Sequence, residues 1–327
     1  TAHRRGSPGW STDVTPPLAL VQNPSQALHA ASGHPERPDR VTAVLERLSS
    51  DPAFDDVPWL EPDPAARELA LLVHEPDEVL GVERMSLRAG GWFDADTYCT
   101  ADSYGVALDA VACAARAARA VMGGEARSVF AVVRPPGHHA TAVRPMGFCL
   151  FNNAAVAVRV AQLAGARRVA VIDVDVHHGN GTQDIFDDDP SVLYCSLHQY
   201  PFYPGTGAAG ERGRGDGTGR TVNVPLPAGT DGPTWLERFD ESVAPEVDAF
   251  EPDLVVVSAG YDAHAADPLA ELLLDVDTYS AIAQRIRSLT SRHSRGRSVW
   301  LLEGGYDLQA MSNSVAAQLA VLASVPA

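Results

Sequence analysis

Three ionisable side chains alternate with valines in the segment VAVIDVDVHHGNGTQ, residues 169–183. Asp173, Asp175 and His177 occupy every second position after an apolar run, so an extended backbone points all three to one face. A buried face with two carboxylates costs many kcal/mol of free energy unless a positive charge lies beside it. The spacing therefore predicts a bound cation at the end of a buried strand.

Two carboxylates and an imidazole, without thiolates, are ligands that suit a divalent ion such as Zn²⁺, Fe²⁺, Co²⁺ or Mn²⁺. We expect Asp175 and His177 to bind this ion together with Asp262, which follows another apolar run. Three protein ligands leave coordination open for water and substrate, which is typical of catalytic rather than structural sites. Asp173 then orients a histidine of the segment RPPGHHA.

Polar residues also follow three other apolar runs. His138 and His139 come after SVFAVV, Tyr261 and Asp262 follow DLVVVSAG, and Tyr306 follows SVWLLEGG. Any one of these residues, taken alone, is more often a helix cap or a satisfied polar group. Because ligands of parallel sheets bind beyond the carboxyl ends of the strands, the whole set favours one active site over mere packing.

The elements that must position these residues are strands of a parallel sheet. Apolar runs alternate with stretches of helical periodicity, which predicts one α/β domain over residues 1–327, with a mainly parallel sheet between two layers of helices. We predict strands over residues 68–74, 128–133, 168–174, 191–197, 253–260 and 298–305. We predict helices over residues 39–50, 103–122, 152–165, 234–250 and 277–289. Residues 1–15 are expected to be a flexible segment, and residues 31–40 and 201–220 are long Gly/Pro loops of the functional or disordered kind.

Composition limits the functions available. Of the 327 residues, 45% are hydrophobic and 20% are charged, which is typical of a soluble globular protein. No apolar run approaches the roughly 20 residues that span a membrane, and the N-terminal residues lack the apolar segment of a signal peptide. Four scattered cysteines without a CxxC pair favour reduced thiols and hence a cytoplasmic protein.

The net charge of −17 argues against binding to nucleic acid or to an anionic membrane. It favours cationic substrates, although an acidic surface that serves solubility is the simpler explanation. All 25 basic residues are arginine, and the absence of lysine excludes Schiff-base and P-loop chemistry. The oligomeric state stays open, a homo-oligomer included.

Seven segments of the chain resemble, in order, the blocks of the histone deacetylase and acetylpolyamine amidohydrolase family. They are GHPERPDR, RPPGHHA, GFCLFNNAAVA, DVDVHHGNGTQDIF, SLHQYPFYPGTG, VVSAGYDAHAADPL and LLEGGYD, and they extend from about residue 33 to residue 307. The resemblance implies the arginase–deacetylase fold and a metal-dependent deacetylase. Arg37 matches a loop arginine of the family, although a surface salt bridge explains it equally well.

The resemblance assigns the metals. It implies that Asp175, His177 and Asp262 hold zinc, or Fe²⁺ or Co²⁺ in its place. Family members also bind a monovalent cation behind the strand, which implies a K⁺ site formed by groups of Asp173, Asp175, His177, Ser196 and Leu197.

The resemblance also assigns catalytic roles. It implies that His139 is the general base for the attacking water and later the acid for the leaving amine. His138, paired with Asp173, is expected to stabilise charge near the water. Tyr306 is expected to donate a hydrogen bond to the substrate carbonyl and its tetrahedral oxyanion. Asn180 stands where one major branch of the family has an aspartate, which resembles the class II and bacterial branch and implies a less basic His139.

Substrate binding is implied for a further group of residues. Phe148, with Gly147, and Tyr203 are expected to form the walls of a narrow apolar tunnel, although an ordinary aromatic core is the alternative. Leu269 occupies the place of an acidic residue that selects polyamines in one subgroup, which favours acyl-lysine-like substrates. Asp96 is expected either to hold substrate amide or amine groups at the rim or to belong to a solvated loop.

Several functions therefore remain in competition. The favoured one is zinc-dependent removal of acetyl or related acyl groups from an amine such as acyl-lysine. The alternatives are deacetylation of an acetylpolyamine or a small metabolite, and an arginase-like ureohydrolase with two manganese ions. The tandem His138 and His139, together with Tyr306, argue against the ureohydrolase, because a dinuclear site needs carboxylates at the histidine positions. A catalytically inactive acyl-binding module is disfavoured, since every ligand and catalytic residue is present.

Overall fold

The computed structural model describes residues 15–324. Within that range the strands are β1 (Leu18–Gln22), β2 (Gly90–Trp92), β3 (Tyr98–Thr100), β4 (Ser128–Val132), β5 (Val169–Asp173), β6 (Val192–Gln199), β7 (Thr221–Leu226), β8 (Leu254–Ala259) and β9 (Ser298–Leu302). The α-helices are α1 (Asp39–Ser49), α2 (Arg67–Ala70), α3 (Pro76–Leu87), α4 (Ser103–Gly123), α5 (Asn153–Leu163), α6 (Asn180–Phe186), α7 (Gly232–Ser242), α8 (Ala244–Phe250), α9 (Val276–His293) and α10 (Leu308–Ala323).

Seven strands form one sheet in the order β1-β4-β9-β8-β5-β6-β7, and every neighbouring pair is parallel. The carboxyl ends of all seven strands therefore lie at the same edge of the sheet. Strands β2 and β3 form a separate antiparallel hairpin. The parallel order places β5 between β8 and β6, so the residues that follow these three strands are neighbours.

Apolar side chains cover both faces of the sheet. In β5, Ala170 and Ile172 belong to one apolar cluster while Val169 and Val171 belong to the other, because successive side chains of a strand point to opposite faces. One cluster includes residues of α1, α7, α8, α9 and α10, and the other includes residues of α3, α4 and α5. Burial on both faces explains why these strands are uninterrupted apolar runs. The predicted α/β class, three layers and parallel sheet are confirmed.

Five of the six predicted strands are confirmed as β4, β5, β6, β8 and β9. The sixth, over residues 68–74, is wrong, because α2 and turns occupy that range. Leu69 and Ala70 are buried in the cluster formed around α4, not in the sheet. A short apolar run does not distinguish a strand from a helical turn, so only the packing decides this segment.

Four strands were not predicted: β2 and β3 of the hairpin, and β1 and β7, which form the two edges of the seven-stranded sheet. Strand β7 contains Pro225, which has no backbone N–H to donate. Proline is tolerated on an edge strand, since one side of that strand has no hydrogen-bonding partner. The proline hides β7 from a sequence-based assignment.

The five predicted helical segments are helical, but residues 234–250 divide into α7 and α8 at Val243. Helices α2, α3, α6 and α10 were not predicted. Within residues 15–324, no helix has the length and apolar character needed to cross a membrane. The expected flexible segment, residues 1–15, lies outside the described residues except for Thr15.

Candidate metal centre and active-site cavity

Three candidate metal ligands converge just beyond the carboxyl ends of β5 and β8. Asp173 pairs in register with Ser258, so Asp175 and His177 emerge beside the segment that carries Asp262. The Nδ1 atom of His177 lies 3.2 Å from Asp175 Oδ1 and 3.2 Å from Asp262 Oδ2. One ligand atom from each residue lies within 4.8 Å of the others. The structure thus brings together the three residues that the sequence indicated.

The surroundings of these ligands fit a divalent metal ion. Asp262 Oδ2 is buried and has no hydrogen-bond partner among the described residues. Zinc bonds of about 2.0–2.2 Å place tetrahedral ligand atoms roughly 3.3 Å apart, close to the separations at His177. A Cβ atom on Gly304 would lie 2.0 Å from Asp262 Oδ2 and 2.6 Å from Asp175 Oδ2, so only glycine leaves room beside both carboxylates.

Electrostatics at this centre favour positive charge. Burial opposes a charged His177 imidazole, yet Asp175 and Asp262 raise its pKa to about 9. Burial and the neighbouring Asp175 carboxylate raise the pKa of Asp262. Two buried carboxylates repel each other, and a cation bound between them removes that repulsion, as at a metal site.

The tandem histidines have different partners. His138 Nδ1 lies 3.1 Å from Asp173 Oδ2, and His139 Nδ1 lies 2.8 Å from Asn180 Oδ1. Burial opposes charge on His138, but Asp175 and Asp173 raise its pKa well above the usual value. Burial, and then the neighbouring His138, lower the pKa of His139 well below it. A carboxylate partner therefore favours imidazolium at His138, and an amide partner leaves His139 neutral.

The hydrogen bond to Asn180 fixes the tautomer of His139. Because an amide oxygen only accepts, the Nδ1 atom of His139 carries the proton and donates it. The Nε2 atom keeps a free lone pair. Gly147 permits close packing here, since a Cβ atom at that position would lie 2.4 Å from His139 Cδ2.

Glu303, the residue directly after β9, anchors the backbone of the segment that carries the two histidines. Its fully buried carboxylate accepts hydrogen bonds from Gly137 N at 2.6 Å and His138 N at 3.2 Å. Its other oxygen accepts from the Ser258 hydroxyl at 3.2 Å. This residue was not predicted, because it acts through backbone amides that are far away in sequence. The signal in the sequence was a carboxylate directly after an apolar strand.

Hydrogen bonds to the backbone and contacts with the ring hold Tyr306 in position. Asp267 Oδ2 accepts from Tyr306 N at 2.6 Å, and Arg40 Nε donates to Gly305 O at 2.6 Å. The Arg40 guanidinium lies 5.0 Å from the centre of the Tyr306 ring, and the Phe148 ring meets that ring edge-on at 5.9 Å. Burial raises the pKa of Tyr306 well above its usual value, so its hydroxyl keeps the proton.

The buried arginine of the segment over residues 31–40 is Arg40, at the start of α1, and not Arg37. Arg37 lies at the surface and pairs with Asp39 at 3.4 Å, which is the salt-bridge alternative for that residue. Glu36 is fully buried and accepts from Arg134 Nε at 2.8 Å and Nη2 at 2.6 Å, while Arg40 Nη1 lies 3.2 Å away. Burial opposes ionisation of Glu36, but Arg134 lowers its pKa to about 2. This loop is an ordered part of the site.

One cavity of about 250 Å³ adjoins the candidate metal centre and the histidines. All five residues expected to bind substrate line this cavity. Pro136, Phe202 and Gly304, which were not predicted, line it as well. Its lining consists of Asp96, Pro136, His138, His139, Gly147, Phe148, His177, Phe202, Tyr203, Leu269, Gly304 and Tyr306. Phe202 stacks on His177 with ring centroids 5.4 Å apart. Its position beside Tyr203 was the only signal in the sequence.

The long loop over residues 201–220 is held in place by Glu211. The Glu211 carboxylate accepts from Gly207 N at 3.0 Å, Ala208 N at 3.1 Å and Gln183 Nε2 at 2.7 Å. This loop carries Phe202 and Tyr203, so its order gives the cavity a defined wall.

The residues indicated for K⁺ lie behind β5. Ser196 of β6 pairs in register with Asp173, and its hydroxyl lies 2.9 Å from His198 Nδ1. The Leu197 side chain is buried in the apolar core, so only its backbone carbonyl can act as a ligand. The four cysteines are free and buried, in agreement with the prediction of reduced thiols.

The fold and the site together define an α/β protein with a candidate metal centre of two carboxylates and one imidazole at the carboxyl edge of its sheet. The chain belongs to the histone deacetylase domain family, whose model matches residues 34–322. It is 42% identical over 311 residues to histone deacetylase 10, chloroplastic, of Oryza sativa subsp. japonica, covering 88% of this chain and 69% of that protein.

Two further proteins extend the likeness. A probable deacetylase of Archaeoglobus fulgidus is 41% identical over 278 residues, covering 84% of this chain and 77% of the other. The crystal structure of the HDA15 HD domain matches with a TM-score of 0.90 at 39% identity, covering 95% of this chain and 89% of that one. Deacetylases and amidohydrolases of this family act on acylated amines and are generally metal-dependent.

Proposed function

We propose that this protein is a zinc-dependent amidohydrolase that removes acetyl or related acyl groups from acyl-lysine-like substrates. The observation that carries the proposal is Asp262 Oδ2, which is buried without a hydrogen bond and lies 3.2 Å from His177 Nδ1. It lies beside the cavity that His139, His177 and Tyr306 line. A buried carboxylate oxygen without a hydrogen bond costs free energy that a metal ion removes.

The chemistry follows from the positions of the protein groups. A divalent ion held by Asp175, His177 and Asp262 would polarise the amide carbonyl and lower the pKa of water towards about 7. His139 takes the proton of the attacking water at Nε2 and delivers it to the leaving amine nitrogen. The Tyr306 hydroxyl, which keeps its proton, donates to the oxyanion that forms on the carbonyl.

His138 and His139 have different charges because their hydrogen-bond partners differ. Paired with Asp173, His138 carries positive charge near the developing oxyanion. His139 stays neutral in the resting state, since its partner Asn180 cannot stabilise imidazolium as a carboxylate does. One histidine thus supplies charge and the other supplies a free base.

The cavity favours a linear amine chain that carries a small acyl group. Phe148, Tyr203 and Leu269 give it apolar walls, and no carboxylate stands at the Leu269 position to pair with an ammonium group inside. This lining supports acyl-lysine over a polyamine. The second candidate, an acetylpolyamine or a small acetylated amine, is supported by Asp96 at the cavity and by the net charge of −17.

A turnover panel tests the proposal. Acetyl-lysine peptides, longer acyl-lysine peptides, acetylspermidine and small acetylated amines are compared after loading with zinc, iron or cobalt. We expect the acyl-lysine peptides to give the largest kcat/KM and chelation to abolish it. A polyamine with the largest kcat/KM would reverse the substrate assignment.

Replacement of Tyr306 separates catalysis from metal binding. We expect Tyr306→Phe to lower kcat by about 10²–10³-fold, because one oxyanion donor is lost, while metal content stays unchanged. Tyr104→Phe is the matched control, since Tyr104 does not line the cavity. Full activity in the Tyr306 variant refutes the assigned oxyanion role.

A further inference from the structure

An aromatic ledge extends outward from the cavity wall. It consists of Phe148, which lines the cavity, His34, whose ring meets Phe148 edge-on at 4.7 Å, and Trp92, whose ring centroid lies 6.2 Å from that of His34. Trp92 is 55% exposed at the end of β2. A large indole exposed beside an active-site mouth offers contact area that the chain itself does not use.

The ledge is held rigidly. His34 Nδ1 accepts from Glu36 N at 3.1 Å, so its Nε2 atom carries the proton and donates to Asp96 O at 3.0 Å. Phe148 N donates to the Thr97 hydroxyl at 3.1 Å. The turn between β2 and β3 is thereby bound both to the cavity wall and to the ledge.

The same turn supplies negative charge. Asp94 lies 3.8 Å from Arg144 and accepts from Thr97 N at 2.7 Å, so it is already paired. Asp96 lines the cavity, and within residues 15–324 it takes part in no ion pair of 4.0 Å or less with an arginine. The Asp96 carboxylate accepts from the Thr97 hydroxyl at 3.3 Å. The hairpin of β2 and β3 thus carries an indole ring and a carboxylate that has no arginine partner, and both groups attract a cation.

We propose that Trp92 and Asp96 form a subsite for a cationic side chain next to the acylated lysine of a peptide substrate. The proposal rests on the proposed deacylation of acyl-lysine. The lysine chain fills the cavity and leaves the peptide backbone at the mouth, where adjacent Cα atoms are about 3.8 Å apart. The long side chain of a flanking arginine then reaches sideways onto the indole.

The position of the ledge favours a peptide over a polyamine. Trp92 does not line the cavity and is connected to the cavity wall through the rings of His34 and Phe148. A linear polyamine continues along the axis of the cavity, whereas a peptide branches at its mouth. A branched ligand is the one that contacts both the cavity and the ledge.

The test compares two acetyl-lysine peptides that differ only in a flanking arginine or glutamine, with acetylspermidine as a third ligand. Kd and kcat/KM are measured for the zinc-loaded wild type and for Trp92→Ala, Trp92→Phe and Trp59→Ala. Trp59 is the matched control because it is 45% exposed and pairs with Leu20 of β1, at the edge of the sheet. Kd reports on the ledge even if no substrate is hydrolysed, so failure of the proposed function stays distinguishable.

We expect the wild type to prefer the arginine peptide, and Trp92→Ala to reduce that preference by about two- to fivefold, as for an exposed cation–π contact. Trp92→Phe should retain part of the preference, and Trp59→Ala should retain all of it. An equal affinity of the wild type for both peptides overturns the proposal. So does an unchanged preference in Trp92→Ala, or a loss of affinity confined to acetylspermidine.

Discussion

Glu78 is a buried acid without a partner, and its replacement gives a prediction about stability. Its side chain is 1% exposed, and neither carboxyl oxygen has a hydrogen-bond partner among the described residues. His74 lies 3.7 Å away, but it accepts from Asn152 N at 2.8 Å and its Nδ1 atom donates to Thr141 O at 2.9 Å. Burial raises the pKa of Glu78 to about 9 and lowers that of His74 to about 4, so both are neutral at pH 7.

The sign of the pH effect follows from the raised pKa. The unfolded chain releases the Glu78 proton near pH 4.5, whereas the folded protein holds it until about pH 9. The free energy of unfolding therefore falls between these values by about 1.4 kcal/mol per pH unit. Glu78→Gln removes the titration. Between pH 5.5 and 7.5 we expect the variant to gain about 2.7 kcal/mol of stability relative to the wild type.

Urea denaturation of both proteins at pH 5.5, 6.5 and 7.5 measures this difference. Comparing the two proteins at each pH cancels the titration of the other groups. Glu75→Gln, at the exposed N-terminal end of the same helix, is the control for the loss of a carboxylate. A Glu78→Gln difference that is constant with pH, or that grows towards acid, refutes the assigned pKa shift and its cause.

Two further predictions concern the active site. Gly304→Ala places a Cβ atom 2.0 Å from Asp262 Oδ2, so we expect its affinity for zinc to fall by tenfold or more. Competition with a chelator measures that affinity. Gly210→Ala is the control and should bind zinc normally, because no atom lies within 4 Å of the added Cβ atom. Asn180→Asp gives His139 a carboxylate partner and raises its pKa, so the acidic limb of the kcat/KM profile should move to higher pH. An unchanged pH profile for that variant contradicts the role given to the amide.

The candidate metal ligands were predictable because their signal is local. Two carboxylates and an imidazole at alternate positions after a buried run have few stable explanations, and the parallel sheet brings Asp262 beside Asp175 and His177. The buried strands were predictable for the same reason, since burial on both faces requires an uninterrupted apolar run.

The supporting residues could not be predicted, because their partners are far away in the sequence. Arg40 donates to Gly305, 265 residues later, and Glu303 accepts from Gly137, 166 residues earlier. Nothing in HPERPDR distinguishes Arg40 from Arg37 until the fold buries the first and exposes the second.

By itself the sequence determined the chemistry: which side chains can bind a metal, move a proton or form a buried strand. Only the tertiary structure decided how those groups are held. Residues 68–74 became a helical turn against α4, and β7 became an edge strand that tolerates Pro225. The structure also placed Trp92 next to His34, whose ring contacts Phe148 of the cavity wall. Local patterns depend on the few residues that make them, whereas packing depends on contacts that the whole chain must first bring together.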